Sequence, residues 1–579
     1  MLIGVAALKK QSRISNRSAA PGANPDIVML ILLACAVSLV SFLFYFQREQ
    51  ILLYGDAVAH INIARRVFDS RTPGLLQLGT VWLPLPHLVM IPFLLSSWMW
   101  QTGVGGSIPS MIAYVFAVVG IFRLTRGVLE RSPDTAKWAR AGSWITAITY
   151  VLNPNLTYLQ STAMTEALYL ALFIWAVVYF AEFLRALQDS SQRWEPKLFR
   201  GAACLAGAEL TRYDGWFLAV LMGIVVLAML ARRWNDSRFR AGVIKFIVGI
   251  AIAPLLWLIY NAAVYGNALE FVNGPYSAKA IERKTSTHGA PAHPGAGNLT
   301  TAASYILKAS ELNMAPGNWG RIWIAIGVSG LLLVFRRIRA SAALLLLWTP
   351  LIFYVLSIAY GGVPLFLPAW WPYTWYNLRY GLQLLPLFAV SAGLIAVTVP
   401  ASASRFFPKR SDSSEVTKPK PSLAALVTGS VAVVIVALSY VSVWKAQPLC
   451  FKEAWVNSRT KLSLESAVAR GLRYFPRDAN YLMYLGDHVG AFQQAGVPLK
   501  QVINEGNHRP WKKPSDPEGL WEQALAAPAK YVDFVIAFDG DDVDRQVNKT
   551  GLTLVTEIHT TGQPHAQIYA TRLAANQSR

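Results

Sequence analysis

The chain has 579 residues, more than one domain usually holds, and 54% of them are hydrophobic while only 15% are charged. With a mean hydropathy of +0.36 and repeated apolar runs, this composition excludes an ordinary soluble enzyme and predicts a polytopic membrane protein. The net charge of +21 lies almost entirely in residues 1–444, which hold 37 basic and 18 acidic residues, against 16 and 14 in residues 445–579. Nucleic acid is therefore not an expected partner, because no soluble part carries a basic patch.

Basic loops set the orientation of the apolar segments, because cytoplasmic loops are enriched in Lys and Arg. Residues 1–26 are polar and basic, so the N-terminus is predicted inside and the first span leads out. The basic loop 123–140 must also lie inside, so the chain has to cross the membrane back before it. The apolar segment just before this loop supplies that one crossing. The short, proline-broken stretch 86–100 is then predicted to lie in the outer membrane interface. These assignments leave an external loop over residues 47–107.

The same rule, that basic loops lie inside and successive spans alternate in direction, orders the rest of the membrane domain. This domain is predicted to cover residues 27–444. Further basic loops face inside, and a long polar loop, 265–319, faces outside. A Pro-, Ser- and Lys-rich stretch, 401–421, is predicted to be a cytoplasmic linker before the last span. The count is about eleven spans, of which 200–212 is the weakest because it is short and contains Glu209.

Residues 445–579 follow an outward span and are aqueous in composition, so they are predicted to form a small extracytoplasmic α/β domain. Short runs rich in β-branched and aromatic residues alternate there with helix-like stretches. The acidic segment FDGDDVD, 538–544, resembles a calcium loop but lacks the terminal Glu of an EF-hand, which favours an exposed turn.

The stretch YGDAVAHINIARRVF, which follows the first span, contains the first candidate site. Asp56 and His60 are four residues apart and share one face of a helix. Beside a membrane surface, a carboxylate can take a proton from an acceptor hydroxyl. Asp56 can equally be an acid stabilised by a helix dipole, and His60 an interfacial histidine. Lipid headgroups are expected to contact at least two of Arg65, Arg66 and Arg71.

Further polar groups fall on the same predicted outer surface, where ionisable side chains at membrane depth are functional candidates. Glu166 begins a helix in TEALYLAL, and helix capping is its structural alternative. Arg212 and Asp214 lie two apart in TRYDGW, where they can pair with each other or with headgroups. Arg379 and Tyr380 end the aromatic segment AWWPYTWYNLRY, an interfacial belt whose guanidinium is also suited to a phosphate.

The external loop 265–319 carries His288 and His293 among Gly and Pro residues, together with Lys279. Two histidines at this spacing are a weak metal signal. Such a loop is either a lid over a site or a simple connector.

In their order and sidedness these motifs resemble the GT-C membrane glycosyltransferases. That superfamily includes the protein mannosyltransferases, the aminoarabinose transferase of lipid A and bacterial family-39-like relatives. The resemblance covers roughly residues 27–400 and rests on YGDAVAHINIARRVF, WLPLPHLVMIPF, TEALYLAL and RYGLQLLPLF. It implies transfer of a sugar, with inversion, from a polyprenyl-phosphate donor to an acceptor lipid, glycan or protein outside a bacterial-type plasma membrane.

The resemblance also implies roles for individual residues. Asp56 matches the first-loop acid that serves as catalytic base in the family. An arginine stabilises the leaving phosphate, with Arg379 the first choice and Arg212 the second. The predicted substrate-binding set is His60, Glu166, Arg212, Asp214, Arg379 and Tyr380. Several relatives hold a divalent metal with paired acids or an acid plus histidine. Here Ala57 follows Asp56, so no metal ligand is assigned, and Glu166 or His288 would have to contribute.

Two other functions fit the membrane architecture. A transporter or lipid flippase also has polar groups among many helices, but the predicted polar residues lie on one surface and the sequence has no inverted repeat. A structural or assembly protein of the cell envelope would use the tail to bind a partner, and its function would not depend on Asp56.

Overall fold

The structure is a computed structural model and is mostly helical, with one β-sheet near the C-terminus. It describes residues 24–191, 193–286, 291–406, 423–507 and 516–571. Most of the predicted N-terminal segment, His288 and nearly all of the 401–421 linker lie outside the described residues.

The first half of the chain consists of an initial helix, the external loop and a series of longer helices. The helices are α1 Pro25–Phe46, α2 Gly55–Arg66, α3 Leu85–Leu94, α4 Ser97–Thr102, α5 Val104–Leu129, α6 Pro133–Ala136, α7 Ala139–Val151, α8 Pro154–Leu159, α9 Glu166–Gln188, α10 Glu195–Glu209, α11 Tyr213–Arg232 and α12 Ser237–Tyr265. A 3-10 turn, Leu75–Leu78, lies between α2 and α3.

The second half contains the later membrane helices and the tail. The helices are α13 Glu270–Asn273, α14 Ala278–Ser286, α15 Leu299–Met314, α16 Gly317–Arg336, α17 Ile338–Ser341, α18 Thr349–Tyr360, α19 Leu385–Phe406, α20 Leu423–Ala446, α21 Leu449–Leu472, α22 Leu485–His488, α23 Gly490–Ala495, α24 Leu520–Ala526 and α25 Asp542–Gln546. Among the 3-10 segments, Ala342–Trp348 precedes α18 and Leu378–Leu384 precedes α19.

Nine helical segments of the described residues are long and apolar enough to cross a membrane, which confirms a polytopic membrane protein. They are Pro25–Phe46, Val104–Leu129, Glu166–Gln188, Tyr213–Arg232, Ser237–Tyr265, Gly317–Arg336, Ile338–Tyr360, Leu378–Pro400 and Val427–Leu472. The other two predicted crossings correspond to shorter helices, α7 with 13 residues and α10 with 15. Both pack between longer helices, α7 between α5 and α19, and α10 between α9 and α12.

Glycines allow α7 and α19 to approach each other closely. A Cβ added at Gly142 would lie 3.0 Å from the carbonyl oxygen of Gly393, and a Cβ at Gly393 would overlap the backbone of Gly142. Small residues at such crossings bring helix backbones into van der Waals contact, which drives association where lipid provides no hydrophobic force. The short helix α7 is held in the bundle by this contact.

The external loop is folded into short helices. Within 86–100 the structure has α3, ten residues with Pro92 inside, and the start of the six-residue α4. At 1.5 Å rise per residue neither helix crosses a bilayer alone, in agreement with the predicted non-crossing helix. The indole of Trp100 donates to Oδ1 of Asn62 at 2.9 Å and joins α4 to α2.

The tail forms a five-stranded mixed sheet, as the predicted α/β domain requires. The strands are β1 Tyr481–Leu482, β2 Val502–Ile503, β3 Phe534–Phe538, β4 Thr553–Ile558 and β5 Ala566–Ala570, in the spatial order β2-β1-β3-β5-β4. β1 pairs in parallel with β2 and β3, whereas β5 pairs antiparallel with β3 and β4. The central strand β3 is buried at all five positions.

The tail packs directly on the external loop, so both lie on the same side of the helix bundle. Asn62 donates to Gln493 at 2.6 Å, and the backbone amide of Lys500 donates to Asp69 at 3.1 Å. Arg65, one of the three arginines of which at least two were expected at the lipid headgroups, is buried; it pairs with Asp69 at 2.7 Å and donates to the carbonyl of Leu94. The sequence could not show this burial of Arg65, because the carbonyl of Leu94 approaches it only in the folded loop.

Candidate active site

A cavity of about 500 Å³ lies between the external loop and the ends of several membrane helices. Its aromatic and apolar wall includes Trp82, Phe271 and Phe353. Its polar lining comprises Asp56, His60, Glu166, Arg212, Asp214, Lys279, Tyr354, Arg379 and Tyr380. Three carboxylates and three cationic side chains therefore face one space.

Asp56 is the second residue of α2, which places its carboxylate in the first turn of the helix, where the helix dipole stabilises negative charge. Its Oδ2 lies 2.5 Å from Nη2 of Arg379. The Asp56 side chain is 39% exposed, more than any other acid that pairs with Arg379. It is therefore both held in place and open to a substrate.

Arg379 lies in the 3-10 segment just before α19, and three carboxylates from different elements surround its guanidinium. Besides Asp56, its Nε lies 3.3 Å from Glu166 and its Nη1 lies 3.1 Å from Glu453. Glu453 also accepts the backbone N–H of Arg379 at 3.2 Å. This double contact fixes both the main chain and the side chain of Arg379.

Arg212 precedes α11 and contacts a second set of groups. Its Nη1 donates to Oε1 of Glu166 at 3.2 Å, and its Nε lies 3.5 Å from Asp214. Its Nη2 donates to the hydroxyl of Tyr354 at 2.8 Å, and that hydroxyl donates to Asp214 at 3.2 Å. Arg212 thus keeps an uncharged hydroxyl partner where Arg379 has a third carboxylate.

Glu166 links the two arginines. It begins α9 and is fully buried, and one oxygen, Oε1, faces both guanidinium groups. Oε2 makes no hydrogen bond within the described part of the chain. A buried carboxylate is tolerated because two cations share it, so the charges of Glu166, Arg212 and Arg379 depend on one another.

Tyr380 lies between the two guanidinium groups. Its ring centroid is 5.3 Å from Cζ of Arg212 and 5.2 Å from Cζ of Arg379. The ring also stacks on Tyr354, with centroids 4.9 Å apart. The ring faces attract both cations and restrict their rotation.

His60 lines the cavity one turn after Asp56 but is not part of the ionic network. Its Nδ1 lies 2.9 Å from Nε2 of His87, and its ring packs against Trp82 with centroids 4.6 Å apart. Burial, assisted by the charges of Arg379 and Arg212, lowers the pKa of His60 to about 3. His60 is therefore neutral at physiological pH.

A second cavity, of about 240 Å³, meets the first at Asp56 and Arg379, which line both. Its other walls come from Tyr54, the start of α2 and one face of α21. The polar residues contributed by α21 are Glu453, Asn457, Ser458, Lys461 and Glu465. The Asp56–Arg379 ion pair thus lies between the larger cavity and a smaller one beside the tail.

No family model and no curated protein sequence matches the chain. Among solved structures, ArnT from Cupriavidus metallidurans bound to undecaprenyl phosphate superposes with a TM-score of 0.52 at 13% identity, covering 95% of this chain and 98% of that one. Its apo state gives the same TM-score at 11% identity, with the same coverage. The chain has a GT-C fold. The Archaeoglobus fulgidus oligosaccharyltransferase gives a TM-score of 0.45 at 10% identity, covering 88% of this chain and 69% of that one.

The GT-C fold inferred from the sequence motifs is therefore confirmed, including helices that run into a C-terminal domain. Within this GT-C fold, all seven residues predicted as catalytic or substrate-binding line the same cavity. Those seven are Asp56, His60, Glu166, Arg212, Asp214, Arg379 and Tyr380. Their chemical roles stay predictions.

Other polar residues of the site were not singled out from the sequence. Glu453 lies in a helix that reads as ordinary tail sequence, and Tyr354 lies inside an apolar helix. Lys279 was noted only as one base of a polar loop, yet the structure brings it to the cavity wall. His293 of the same loop pairs instead with Glu282 at 3.0 Å.

The acids of the cavity do not form a ready-made metal site. In the described residues around Asp56, no three carboxylate, imidazole or thiolate atoms lie within 4.8 Å of one another. Arg212 and Arg379 contact Glu166 on one side and Asp214 or Asp56 on the other, so cations already occupy the space between the carboxylates. The guanidinium groups of Arg212 and Arg379 balance negative charge of these carboxylates.

Proposed function

We propose that the protein is an integral-membrane inverting glycosyltransferase that moves a sugar from a polyprenyl-phosphate donor to a hydroxyl of an acceptor. The observation that carries the proposal is the position of Asp56, a partly exposed carboxylate at the junction of two cavities within a GT-C fold. The junction lets a base contact an acceptor in one cavity while the donor occupies the other. The site and the tail are placed on the extracytoplasmic side of a bacterial-type plasma membrane.

The larger cavity is assigned to the donor. Its wall is mostly apolar and aromatic, which suits an isoprenoid chain, and Arg212 and Lys279 supply positive charge for a phosphate. ArnT, whose structure superposes on nearly the whole chain, binds undecaprenyl phosphate. A phosphate leaving group needs cations near its oxygens, because negative charge develops there as the sugar departs.

The smaller cavity is assigned to the acceptor. Hydroxyl, amide, carboxylate and ammonium groups of α21 line it, and these groups can hydrogen-bond a sugar or another hydroxyl-bearing molecule. An acceptor lipid, glycan or protein is compatible with this lining. The tail therefore contributes one wall of the acceptor site.

In the reaction, the carboxylate of Asp56 takes the proton of the acceptor hydroxyl as the oxygen attacks the anomeric carbon. The bond between that carbon and the donor phosphate oxygen breaks, and the phosphate leaves with the electron pair. Attack from the side opposite the leaving group inverts the anomeric configuration. Arg379 holds Asp56 in position by their 2.5 Å contact.

The contacts of the two arginines suggest a division of roles. Arg379 is surrounded by three carboxylates, whereas Arg212 has two and the hydroxyl of Tyr354. A phosphate oxygen can replace a neutral hydroxyl at Arg212 more readily than it can displace a carboxylate from Arg379. We therefore assign phosphate binding to Arg212, with Lys279, and reverse the order that the sequence favoured.

The decisive experiment compares Asp56→Asn with the wild type in membranes and as purified protein. We expect the rate of sugar transfer to fall by about 10²–10⁴-fold, the usual contribution of a general base. Lipid mass spectrometry would show the polyprenyl-phosphate sugar accumulating as the glycosylated product disappears. Asp189→Asn is the control, because this acid pairs with Arg131 near the other end of α9.

Full activity of the Asp56→Asn variant would refute the role of Asp56 as general base. A flippase is distinguished by its product, because it would move the lipid-linked sugar without consuming it. An assembly protein would show neither transfer nor translocation. A reporter fused after Trp444 tests the sidedness, and a cytoplasmic signal would contradict the proposed orientation.

A further inference from the structure

Two histidines face each other at the end of the β4–β5 hairpin in the tail. Ile558, the last residue of β4, pairs with Ala566, the first residue of β5, so His559 and His565 are the first and last residues of the connecting loop. Their ring centroids are 4.1 Å apart with planes inclined by 65°. Glu557, two positions before His559 on the same strand, places its Oε1 3.6 Å from Nε2 of His559.

The three side chains can supply three ligand atoms to one point. The carboxylate oxygen of Glu557 and a ring nitrogen from each of His559 and His565 all lie within 4.8 Å of one another. Small side-chain rotations would bring them to the spacing of ligands around a tetrahedral ion. All three are exposed, so an ion reaches them directly from solvent.

A fourth residue orients the cluster. Asp539, at the end of β3, has Oδ2 3.2 Å from Nδ1 of His565 and accepts the backbone N–H of the same residue. A carboxylate on one ring nitrogen of a metal-binding histidine fixes its tautomer and directs the other nitrogen to the ion. The arrangement thus includes the outer partner that metal-ligating histidines normally have.

The remaining acids of the turn have other structural roles. Asp541 caps α25 by accepting the N–H of Asp544, Asp542 pairs with Arg545, and Asp544 pairs with Lys549. Neither Asp539 nor Glu557 pairs with Lys or Arg within the described residues. Each of these two acids has one histidine of the pair as its ionic partner.

We infer that Glu557, His559 and His565 bind one divalent transition-metal ion of the zinc class, with Asp539 positioning His565. Two imidazoles and one carboxylate are a common three-ligand set for zinc, with water in the fourth position. Two nitrogen ligands exclude calcium and magnesium, which require oxygen. This inference is independent of the proposed reaction, because none of the four residues lines either cavity.

The ion would stabilise a contact between the hairpin and α21. Gln563, in the loop closed by the two histidines, donates to the hydroxyl of Thr460 at 2.8 Å. α21 also carries Glu453, the partner of Arg379. An ion that fixes the loop therefore restricts α21 at its contact with the sheet.

The test uses the full chain, purified in detergent without a polyhistidine tag and stripped of metal with a chelator. Titration with Co²⁺ should give a visible absorption band that saturates at one ion per chain, and Zn²⁺ should displace it. Millimolar Ca²⁺ should not displace the bound Co²⁺. His559→Asn and His565→Asn should each weaken binding by about 100-fold, and Asp539→Asn by about tenfold.

Thr561→Ala, in the same loop but without a metal ligand, is the matched control and should bind like the wild type. Because the substituted side chains are exposed, every variant should keep the unfolding temperature of the metal-free wild type, and only wild type and control should gain stability with Zn²⁺. Absence of saturable binding in the wild type would overturn the proposal. Equal binding by the His559→Asn/His565→Asn double variant would do the same.

Discussion

The ionic contacts of Arg379 join residues far apart in the sequence, whereas Asp542 and Asp544 of the acidic turn 538–544 pair with bases three and five residues away. Arg379 contacts Asp56, Glu166 and Glu453, which come from three separate helices. Asp542 and Arg545, by contrast, pair within one short helix. A local pair stabilises the segment that contains it, but a non-local network holds several elements in register. Changes in the two regions should therefore have very different effects.

The largest effect on stability is expected from Glu166→Gln. The amide removes the buried charge shared by Arg212 and Arg379, and breaking such a pair costs about 3–5 kcal/mol of unfolding free energy. Transfer activity should be lost as well, because both guanidinium groups lose a positioning contact. Equilibrium unfolding in mixed micelles measures the loss of unfolding free energy. Glu182→Gln, on the same helix and also paired with two cations but with a side chain that is 16% rather than 0% exposed, is the control and should cost less.

The two arginines can be distinguished by their binding of undecaprenyl phosphate. Arg212→Gln should weaken binding by about tenfold or more, because it removes a charged hydrogen bond to the phosphate. Arg379→Lys keeps a cation among three carboxylates and should change lipid affinity little while lowering the transfer rate. The reverse pattern would return phosphate binding to Arg379. Lipid titration followed by native mass spectrometry measures the affinities.

The buried histidines predict how stability depends on pH. His60 titrates near pH 6.5 when unfolded, but burial lowers its folded pKa to about 3, and burial also lowers the pKa of His87. The folded state binds fewer protons, so full stability is present above pH 6.5 and is lost as the pH falls toward 3. The slope is up to about 1.4 kcal/mol per pH unit for each histidine. His60→Gln should reduce the slope of unfolding free energy against pH. An unchanged slope would contradict the assignment of this pH dependence to His60.

The smallest effect is expected in the acidic turn. Asp542→Asn removes an exposed pair with Arg545, 2.7 Å long, and should change the unfolding free energy by about 0.5 kcal/mol or less. Transfer activity should equal that of the wild type. A large loss of either would mean that the turn, like the network around Asp56, holds distant elements together.

The sequence was sufficient to select residues that line one cavity because charged residues are rare among membrane helices. Asp56, Glu166, Arg212 and Arg379 stand out for that reason, and the alternation of basic loops placed them on one predicted surface. The order of their motifs then indicated the GT-C fold. The rarity of charge and the alternation of basic loops are visible in a single sequence, whereas the GT-C fold was inferred from the resemblance of the motifs to that superfamily.

The features of the site and the fold that the sequence did not predict depend on packing between distant segments. Glu453 lies in a helix with many charged residues, where nothing in the local pattern separates it from solvent-exposed neighbours. Arg65 follows Asp56 in a basic run that suggested headgroups, but the folded loop buries it, and its guanidinium donates to the carbonyl of Leu94, 29 residues away. The helix α7 has 13 residues, below the usual spanning length, and the close approach of Gly142 to Gly393 packs it against α19.

The contacts between Glu453 and Arg379 have a consequence for any attempt to divide the chain. One carboxylate from α21 accepts both the main-chain amide and the side chain of Arg379. Deleting the tail before α21 would remove the acceptor of the Arg379 main-chain amide and one of the three carboxylates that hold its guanidinium. The tail is therefore not a detachable module, and a chimaera carrying another tail would need an acidic side chain at the same point to retain the geometry of Asp56.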